Sequence, residues 1–407
     1  MADDRQARHL TRLSLIHPYP AMIPDALATD IVNQYVTSTT RLLDPFCGTS
    51  RTVIAGATKA SKAMGLDVNP LAILISRAKI AHVRARQLET ILKGSTWFRG
   101  AAVENLDLEP GRAVKWFSRL ASRELTEIVH WLNRTELSPG VLAICGVILS
   151  ATVREVSYCR KQQWKLHRMS AKKRHQHRLS PWSVFDRRAK RVISELQSAP
   201  SLVGQVGVMC GDAGRLTSYR QINSEAPFNM VFSSPPYGDS RTTVGYGDVS
   251  ALCLGVLQHV RKLGLKYVAP AVLDDSCLGG ERCTRSPVVD VHDYWLGSRD
   301  NPGRNRVQFF LDDLRAACTE MNSVLDKKAR MVFVVARRNV GGRRVYIDDF
   351  IADVLRSFGF RLELRRLRRI VGKNTPFTID ARGAGGNSLI RRTMKEEFVL
   401  VFERGAC

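Results

Sequence analysis

Short apolar runs alternate with amphipathic stretches along much of this 407-residue chain. Runs typical of buried strands occur at residues 41–44, 63–67, 205–209, 229–232, 330–336, 360–370 and 396–402. Stretches typical of helices occur at about 25–35, 50–62, 71–86, 113–134, 141–161, 307–325 and 347–358. Because helices separate most of the early strands, the pattern predicts an α/β fold with a mainly parallel, doubly wound, seven-stranded sheet. The last two strands resemble a hairpin, so one of them is expected to run antiparallel.

The alternation stops between about residues 83 and 200, where long helices and basic runs dominate. We therefore interpret residues 1–82 and 201–407 as one catalytic core, and residues 83–200 as a largely helical basic insertion that contacts a partner. A second segment, 239–305, shows little periodicity and is interpreted as a loop-rich region that also contacts the partner.

The charge balance is strongly basic, because 62 lysines and arginines stand against 38 aspartates and glutamates, a formal net charge of +24. A charge of this size indicates a polyanionic partner. The candidate nucleic-acid contacts are Arg160, Lys161, Lys165, Arg168, Lys172, Lys173, Arg174, Arg178 and Arg241. Trp164 and Trp182 lie between the basic runs, which favours a surface that follows phosphates over a merely solvated face.

Composition also narrows the class of protein. Nine cysteines are scattered without a Cys-x-x-Cys pair, so neither disulfides nor a metal site is expected. The first eight residues are polar and of mixed charge, which is unlike a secretory signal. No apolar run is expected to reach the length of a membrane span. These features together predict a cytoplasmic globular protein.

Two early strands each end on an acid. Asp44 follows Leu42-Leu43 and precedes Gly48, which permits a tight turn, and Thr49 or Ser50 is expected to cap the next helix. Asp67 ends the second strand, where sheets of this type hold a ribose diol. Since the turn lacks a second phosphate-binding glycine and a lysine, the acids favour a cationic ligand over a phosphate. A capping role for each acid is the alternative.

The fourth strand stops abruptly at Ser233-Ser234-Pro235-Pro236-Tyr237. Proline lacks an N–H and restricts the residue before it, so this stretch predicts an extended, rigid rim. Hydroxyl and carbonyl acceptors beside an aromatic ring are suited to a flat ring that bears an amino group. The alternative is that the prolines merely end the strand and Tyr237 packs locally.

These motifs resemble those of a known enzyme family. The stretch from Asp44 to Thr49 resembles the S-adenosylmethionine motif of the amino-methyltransferases, and Ser234–Tyr237 resembles their catalytic motif. The serine form is similar to that of bacterial DNA methyltransferases that modify cytosine N4. The segment His17–Pro24 resembles the one that precedes the first strand in those enzymes. Ser50 departs from the family, which usually has glycine there.

The resemblance implies a Rossmann-like methyltransferase sheet and a role for each matching residue. The cofactor S-adenosyl-L-methionine would be bound by His17, Pro24, Asp44, Pro45, Phe46, Cys47, Gly48, Thr49, Asp67, Val68, Asp212, Ala213 and Ser234. The target base would be bound by Ser234, Pro235, Pro236 and Tyr237. The implied activity is site-specific methylation of cytosine N4 in double-stranded DNA, in a restriction-modification system with a cognate restriction endonuclease.

Other functions stay open at the level of sequence. One alternative is methylation of adenine N6, which is also an exocyclic amine, although adenine enzymes usually have aspartate at the position of Ser234. An RNA guanine-N2 methyltransferase and a DNA-binding module with an inactive methyltransferase fold are further alternatives. Methylation of cytosine carbon 5 is disfavoured, because it requires a Pro-Cys nucleophile motif and this chain contains no Pro-Cys dipeptide.

Overall fold

A computed structural model describes residues 9–20, 22–108, 115–160, 166–197, 199–239, 244–280, 289–296, 303–369, 378–382, 388–392 and 396–405. The strands are β1 (Arg41–Asp44), β2 (Lys62–Asp67), β3 (Gln205–Cys210), β4 (Phe228–Ser233), β5 (Leu325–Val335), β6 (Arg338–Val340), β7 (Arg343–Val345), β8 (Phe360–Arg369), β9 (Thr378–Arg382), β10 (Ser388–Arg392) and β11 (Glu396–Arg404). The helices are α1 (Asp25–Tyr35), α2 (Arg51–Ala57), α3 (Pro70–Ile80), α4 (Ala85–Gly94), α5 (Arg119–Arg134), α6 (Pro139–Val156), α7 (Ala171–Gln176), α8 (Pro181–Gln197), α9 (Arg220–Glu225), α10 (Tyr246–Leu257), α11 (Pro270–Ser276), α12 (Arg304–Ser323) and α13 (Ile347–Ser357).

Seven strands form one sheet in the order β3-β2-β1-β4-β5-β11-β8. The recorded pairs β2–β3, β1–β4 and β4–β5 are parallel, whereas β11 is antiparallel to both β5 and β8. The predicted Rossmann-like, mainly parallel seven-stranded fold is therefore confirmed, including the antiparallel strand near the C-terminus. Each predicted strand overlaps an observed one, because short β-branched runs bounded by turn residues are a strong local signal.

Contacts divide the chain into two compact units. The first unit comprises Met1–Thr39, Cys47–Gly211 and Val244–Ser276. In it, β2 and β3 lie with a layer of helices whose buried faces share one hydrophobic cluster. Helix α6 is central to this cluster, since nearly all of its residues are buried. The helical character predicted for residues 83–200 agrees with the helices observed in the described part of that segment.

Helix α6 corrects one expectation about apolar runs. Its 18 residues are long and apolar enough to cross a membrane by length and composition, and it is the one such helix among the described residues. Most of the helix is buried against neighbouring helices, as in the core helix of a globular unit. The sequence pattern predicted a helix over 141–161 but not that its apolar run reaches the length of a membrane span.

A cluster of aromatic rings corrects a second expectation. Trp182 is buried and packs with Trp131 and Phe185, at centroid distances of 6.1 and 6.2 Å. Its indole Nε1 donates a hydrogen bond to the buried Glu127, at 2.8 Å. Trp182 is therefore a core residue of the insertion and is not an aromatic side chain on a phosphate-binding surface, while Trp164 lies outside the described residues.

The second unit comprises Thr40–Phe46, Asp212–Thr243 and Cys277–Cys407. It contains β1, β4, β5, β11 and β8, with helices α12 and α13. The central strand β5 is almost wholly buried from Met331 to Val335, which explains its continuous apolar sequence. Strand β8 lies at the end of the sheet order and is mostly exposed.

Element ends and short elements differ from the sequence prediction. Helix α2 stops at Ala57, and the helix predicted over 71–86 ends at Ile80, where the backbone becomes extended. Helices α10 and α11 lie in the segment that was predicted to be loop-rich. Helix α10 was missed because its largely apolar sequence shows no clear helical period. The small two-stranded sheets β6–β7 and β9–β10 were also not predicted.

Candidate active site

In the first unit, the turn after β1 carries two residues with left-handed backbone. Gly48 has φ +52° and Ser50 has φ +63°. The backbone N–H of Cys47 donates to the carbonyl of Leu66, and the N–H of Gly48 donates to Oδ2 of Asp67, both at 3.0 Å. A Cβ at Gly48 would meet its nearest neighbour, in Tyr19, only at 4.0 Å, so the space beside this glycine is open.

The carboxylate of Asp67 binds this turn through two backbone N–H groups. Its Oδ2 accepts from Gly48 and its Oδ1 accepts from the N–H of Asn69, at 2.8 Å. Burial raises its pKa to about 6, while the two backbone hydrogen bonds act in the opposite direction. Each carboxylate oxygen can accept more than one hydrogen bond, so this geometry is compatible with the predicted binding of ribose hydroxyls.

Ser50 does not cap the following helix, so the predicted capping by Thr49 or Ser50 is wrong. Ser50 precedes α2 but makes no side-chain hydrogen bond to that helix. Its buried hydroxyl donates instead to Oγ of Ser76 at 2.7 Å, and the Ser76 hydroxyl lies 3.2 Å from the carbonyl oxygen of Gly48. This serine pair stabilises a left-handed conformation that usually requires glycine.

Cys47 and Thr49 are tied into the protein interior. A Cβ at Gly65 would lie 2.9 Å from Sγ of Cys47, so glycine at this position of β2 makes room for the thiol. The carbonyl and the hydroxyl of Thr49 both accept from Nζ of Lys79, at 2.9 Å. Lys79 is buried, and burial together with the nearby Arg51 lowers its pKa to about 7. Sequence reasoning missed Lys79, although a lysine on the apolar face of α3 was a usable signal.

The segment from His17 to Pro24 is anchored to the helical layer. The imidazole Nδ1 lies 2.8 Å from the carbonyl oxygen of Pro18, and Nε2 lies 2.9 Å from Oγ of Ser150. Because a carbonyl only accepts, Nδ1 is the donor and Nε2 accepts from the Ser150 hydroxyl. Burial lowers the pKa of His17 to about 3, so the ring is neutral. Pro24 occupies the N-cap position just before α1.

Asn69 fastens the next loop to the same segment. Its Oδ1 caps α3 by accepting from the N–H of Leu71, and its Nδ2 donates to the hydroxyls of Tyr19 and Ser250 at 2.9 and 2.8 Å. Val68, which is partly buried, lies between Asp67 and this asparagine. The turn, the acid and the N-terminal segment of the first unit are thus joined by one network.

In the second unit, Asp44 is buried at the end of β1. Its Oδ1 accepts from the N–H of Phe46 at 3.0 Å and from the hydroxyl of Ser233 at 2.6 Å. Pro45 is buried and Phe46 is half-buried. The first acid and the end of β4 are therefore held together within this unit.

Asp212 begins a turn of 3-10 helix, Ala213–Ser218. Its Oδ1 accepts from the N–H of Gly214 at 2.9 Å, and its own N–H donates to the hydroxyl of Tyr219 at 2.8 Å. Ala213 is buried beneath this turn. The predicted contact of Asp212 with S-adenosylmethionine stays a prediction.

The Ser-Pro-Pro-Tyr stretch follows β4 directly. The hydroxyl of Ser234 donates to the carbonyl oxygen of Val334 at 3.0 Å and lies 3.2 Å from the hydroxyl of Tyr237. Since its proton is directed to Val334, the Ser234 oxygen presents its lone pairs to any further partner. Pro235 is buried and Pro236 is half-buried, which keeps this rim rigid.

A glutamate on β11 completes this arrangement. The hydroxyl of Tyr237 donates to Oε2 of Glu397 at 3.3 Å, and Oε1 of the same carboxylate accepts from Arg368. Burial, followed by the charge of Glu397, raises the pKa of the Tyr237 hydroxyl well above its ordinary value, so the phenol stays protonated. Glu397 was missed, although a glutamate in an otherwise apolar strand was a signal.

The predicted basic contacts are only partly described. Lys161, Lys165 and Arg241 lie outside the described residues. Arg160 is exposed and Arg168 is half-buried, and an isolated antiparallel bridge pairs Arg168 with Cys159, the neighbour of Arg160. Lys172, Lys173 and Arg178 are exposed, whereas Arg174 is half-buried and donates to the carbonyl of Met169. Nucleic-acid contact by these residues stays a prediction.

Comparison with known proteins gives one informative relative. No protein-family model matches this chain. The type II methyltransferase M.MvaI of Kocuria varians is 25% identical over 426 aligned positions, which cover 95% of this chain and 90% of that protein.

Two solved structures are more remote. An rRNA methylase from Streptococcus thermophilus has a TM-score of 0.32 at 7% identity and covers 95% of this chain and 100% of its own. The rRNA methyltransferase aviRa from Streptomyces viridochromogenes has a TM-score of 0.33 at 12% identity, covering 96% of this chain and 92% of its own. At these scores we base no argument on the two structures. The similarity to the Kocuria varians protein along nearly the whole chain supports a methyltransferase family for this protein.

Proposed function

We propose that this protein transfers the methyl group of S-adenosylmethionine to the exocyclic N4 of a cytosine in duplex DNA. The observation that carries the proposal is the end of β4, where Ser234 is an oriented acceptor beside Tyr237. The resemblance to the cytosine-N4 enzymes supports the choice of base, and the type II methyltransferase relative supports methyl transfer. The net charge of +24 supports a polyanionic substrate.

Ser234 and Pro235 contribute to the reaction by positioning the target amine. The lone pair of an exocyclic amine is delocalised into the ring, so the amine is a poor nucleophile. Acceptance of its two hydrogens by Oγ of Ser234 and the carbonyl oxygen of Pro235 favours a pyramidal nitrogen whose lone pair can attack. Correct placement of two reactants accounts for a large rate enhancement without a covalent intermediate. A base in a duplex is inaccessible, so the target is flipped out, and Tyr237 is suited to stack on it.

The residues of the first turn fit the proposed cofactor. The open space beside Gly48 admits a ligand close to the backbone, and Asp67 offers acceptors for ribose hydroxyls. His17 and Asn69 hold the surrounding loops in place through buried hydrogen bonds. Asp44 is the acid we assign to the ammonium group. When bound, S-adenosylmethionine supplies an electrophilic sulfonium methyl group.

We further propose that the modification is site-specific and protects DNA in the cytoplasm from a cognate restriction endonuclease. This follows from the type II methyltransferase relative, and the role of that relative is extended to this chain as a proposal. A restriction-modification role requires that the enzyme and the nuclease recognise the same sequence.

The direct test is incubation with tritiated S-adenosylmethionine and duplex DNA, followed by digestion and chromatography of nucleosides. The expected result is label in N4-methylcytosine, lost in the variant Ser234→Ala and retained in the matched variant Ser218→Ala, an exposed serine of the same unit. Label in N6-methyladenine would instead identify adenine N6 as the target. Label only in added ribosomal or transfer RNA, or no label in any nucleic acid, would overturn the proposal.

A further inference from the structure

A buried ion pair lies directly after the Ser-Pro-Pro-Tyr stretch. Nη1 of Arg338 donates to Oδ2 of Asp239 at 3.0 Å, and the two side chains are only 11% and 5% exposed. Arg338 is the first residue of β6, and Asp239 is separated from Tyr237 by Gly238 alone. All of these residues belong to the second unit. Neither Arg338 nor Asp239 is among the site residues predicted from the sequence.

Burial makes this pairing necessary for both charges. A charge in a protein interior is strongly destabilising unless it is paired and hydrogen-bonded. Burial lowers the pKa of Arg338, while the charge of Asp239 acts in the opposite direction. Asp239 cannot move away from the guanidinium without losing the interaction that offsets its burial, so the end of the stretch is fixed at this point.

The guanidinium also occupies the space beside Gly238. A Cβ at this glycine would collide with Nη1 of Arg338 and would lie 2.5 Å from its Cδ and Cζ. Glycine has the greatest conformational freedom of all residues, so by itself it would loosen the connection between Tyr237 and Asp239. The arginine side chain packed against the glycine backbone restricts that freedom.

Strand register explains why side chains must hold this stretch. Strands β4 and β5 are parallel, and the last pair recorded between them is Ser233 with Phe333. The two prolines that follow have no N–H to donate, so they cannot continue a backbone ladder with the neighbouring chain. Any further attachment to the continuation of β5 therefore depends on side chains.

Two side-chain contacts replace the missing ladder. At the near end, the hydroxyl of Ser234 donates to the carbonyl oxygen of Val334 at 3.0 Å. At the far end, Asp239 binds Arg338. Val334 and Arg338 are four positions apart in the chain, and Ser234 and Asp239 are five. The stretch is thus fastened at both ends to the same segment of chain.

The hairpin β6–β7 fixes the position of Arg338. Arg338 pairs with Val345 in this small sheet, and Val345 also forms a bridge with Trp295. The indole of Trp295 is fully buried, and its Nε1 donates to the carbonyl oxygen of Val340 at 3.1 Å. The guanidinium is therefore presented by an element that is packed into the core of its unit.

Asp239 is held by packing as well as by charge. A Cβ at Gly279 would lie 3.1 Å from Cβ of Asp239 and 3.1 Å from Cβ of Phe310, so the three residues are closely packed. The N–H of Gly279 donates to Oδ2 of Asp313 at 2.9 Å, which attaches this glycine to α12. Both members of the ion pair are thus fixed by their surroundings.

We propose that Arg338 is a positioning residue for methyl transfer, which fixes the Gly238–Asp239 end of the Ser-Pro-Pro-Tyr stretch and thereby the acceptors presented to the target amine. This inference rests on the proposed function and assigns to it a residue that acts through its neighbours. Between two fixed ends, the prolines hold the carbonyl oxygen of Pro235 in one direction. A misplacement of about 1 Å can lower a rate ~100-fold.

A purely stabilising role is the alternative to positioning. The two roles separate in the double variant Arg338→Met/Asp239→Leu, because replacing a buried ion pair by apolar residues of similar volume often leaves stability unchanged. An apolar contact is not directional, however, and does not orient the stretch. Arg338→Met alone leaves a buried carboxylate unpaired. The matched control is Arg330→Met, which loses the ion pair with Glu403 in the same unit.

The experiment measures kcat and KM for tritiated methyl transfer to duplex DNA, together with urea unfolding of the same proteins. For the double variant we expect near-wild-type stability, kcat lowered about 10-fold and KM for DNA changed by less than about twofold. Arg338→Lys keeps the cation but not the planar guanidinium, so its kcat should lie between those of the wild type and Arg338→Met. Arg330→Met should keep the wild-type kcat.

The outcomes separate this inference from the proposed function. If the wild type methylates DNA and the double variant has both wild-type stability and wild-type kcat, the inference fails and the function stands. A fall in kcat for Arg330→Met as large as that for Arg338→Met would equally overturn it. If the double variant does not fold, Arg338→Lys decides, and a wild-type kcat would then refute positioning. If the wild type labels no nucleic acid, the proposed function fails together with this inference.

Discussion

The hydroxyl of Tyr237 lies 3.3 Å from Oε2 of Glu397, a residue 160 positions further along the chain. The other oxygen of that carboxylate binds Arg368. Glu397 therefore joins two features that look unrelated in sequence, the Ser-Pro-Pro-Tyr stretch after β4 and the arginine-rich edge strand β8. Because the tyrosine is fixed at its hydroxyl end, its ring has a defined orientation.

We expect Tyr237→Phe to lower kcat about 10-fold. The substitution keeps the ring but removes the hydrogen bond that orients it, and a misplaced reactant costs rate more than affinity. Glu397→Gln should also lower kcat. The matched control is Glu403→Gln, which loses a comparable ion pair with Arg330 further along β11. Cofactor affinity, measured by calorimetry, should be unchanged in all three, and a fall in that affinity with unchanged kcat would contradict the positioning role.

Cofactor affinity should fall as the pH drops through about 6. The pKa of Asp67 is raised to about 6, so its carboxylate is ionised above that pH and protonated below it. Protonation removes hydrogen-bond acceptors for ribose hydroxyls. Titration calorimetry with S-adenosylhomocysteine from pH 5 to 8 measures the effect. In Asp67→Asn the affinity should be low and independent of pH over this range, and a wild-type affinity that stays flat would exclude Asp67 from the ribose site.

His17 should make the protein sensitive to acid. Its pKa is lowered from 6.5 to about 3 by burial, so the folded state holds the ring neutral while the unfolded chain protonates it. The stabilising contribution is complete above pH 6.5 and is lost as the pH falls toward 3.

Thermal unfolding of wild type and His17→Gln across pH 4 to 7.5 tests this contribution. The difference in Tm between the two proteins should shrink as the pH falls. His82→Gln, at an exposed position, serves as the control and should leave the profile unchanged. A difference that grows on acidification would show that the ring is charged in the folded protein.

Replacing Ser50 by alanine and by glycine should change the free energy of unfolding by different amounts. Alanine keeps the left-handed strain at φ +63° and removes the hydrogen bond to Ser76, so a loss of about 2 kcal/mol is expected. Glycine also removes the hydrogen bond but relieves the strain, so Ser50→Gly should be more stable than Ser50→Ala by about 1 kcal/mol. Urea unfolding measures both values, and equal losses would mean that the backbone at Ser50 is unstrained.

Much of the fold could be predicted from local patterns. The seven sheet strands, the helical segment after residue 83 and the acids at the ends of β1 and β2 all follow from periodicity and turn residues. Element ends were less predictable, because termini depend on packing and capping as much as on propensity. The largely apolar helix α10 was missed since its few polar residues do not lie on one face.

The sequence by itself therefore determined the class of sheet, the order of its motifs and the acceptor-rich end of β4, because these depend on neighbours within a few residues. Only the tertiary structure decided that Ser50 bonds to Ser76 instead of capping a helix, and that Trp182 is a core residue. It also decided that Glu397 holds Tyr237 and that Arg338 pairs with Asp239. Such relationships join residues far apart in the chain, and they are set by strand register and by side-chain packing, which no local pattern encodes.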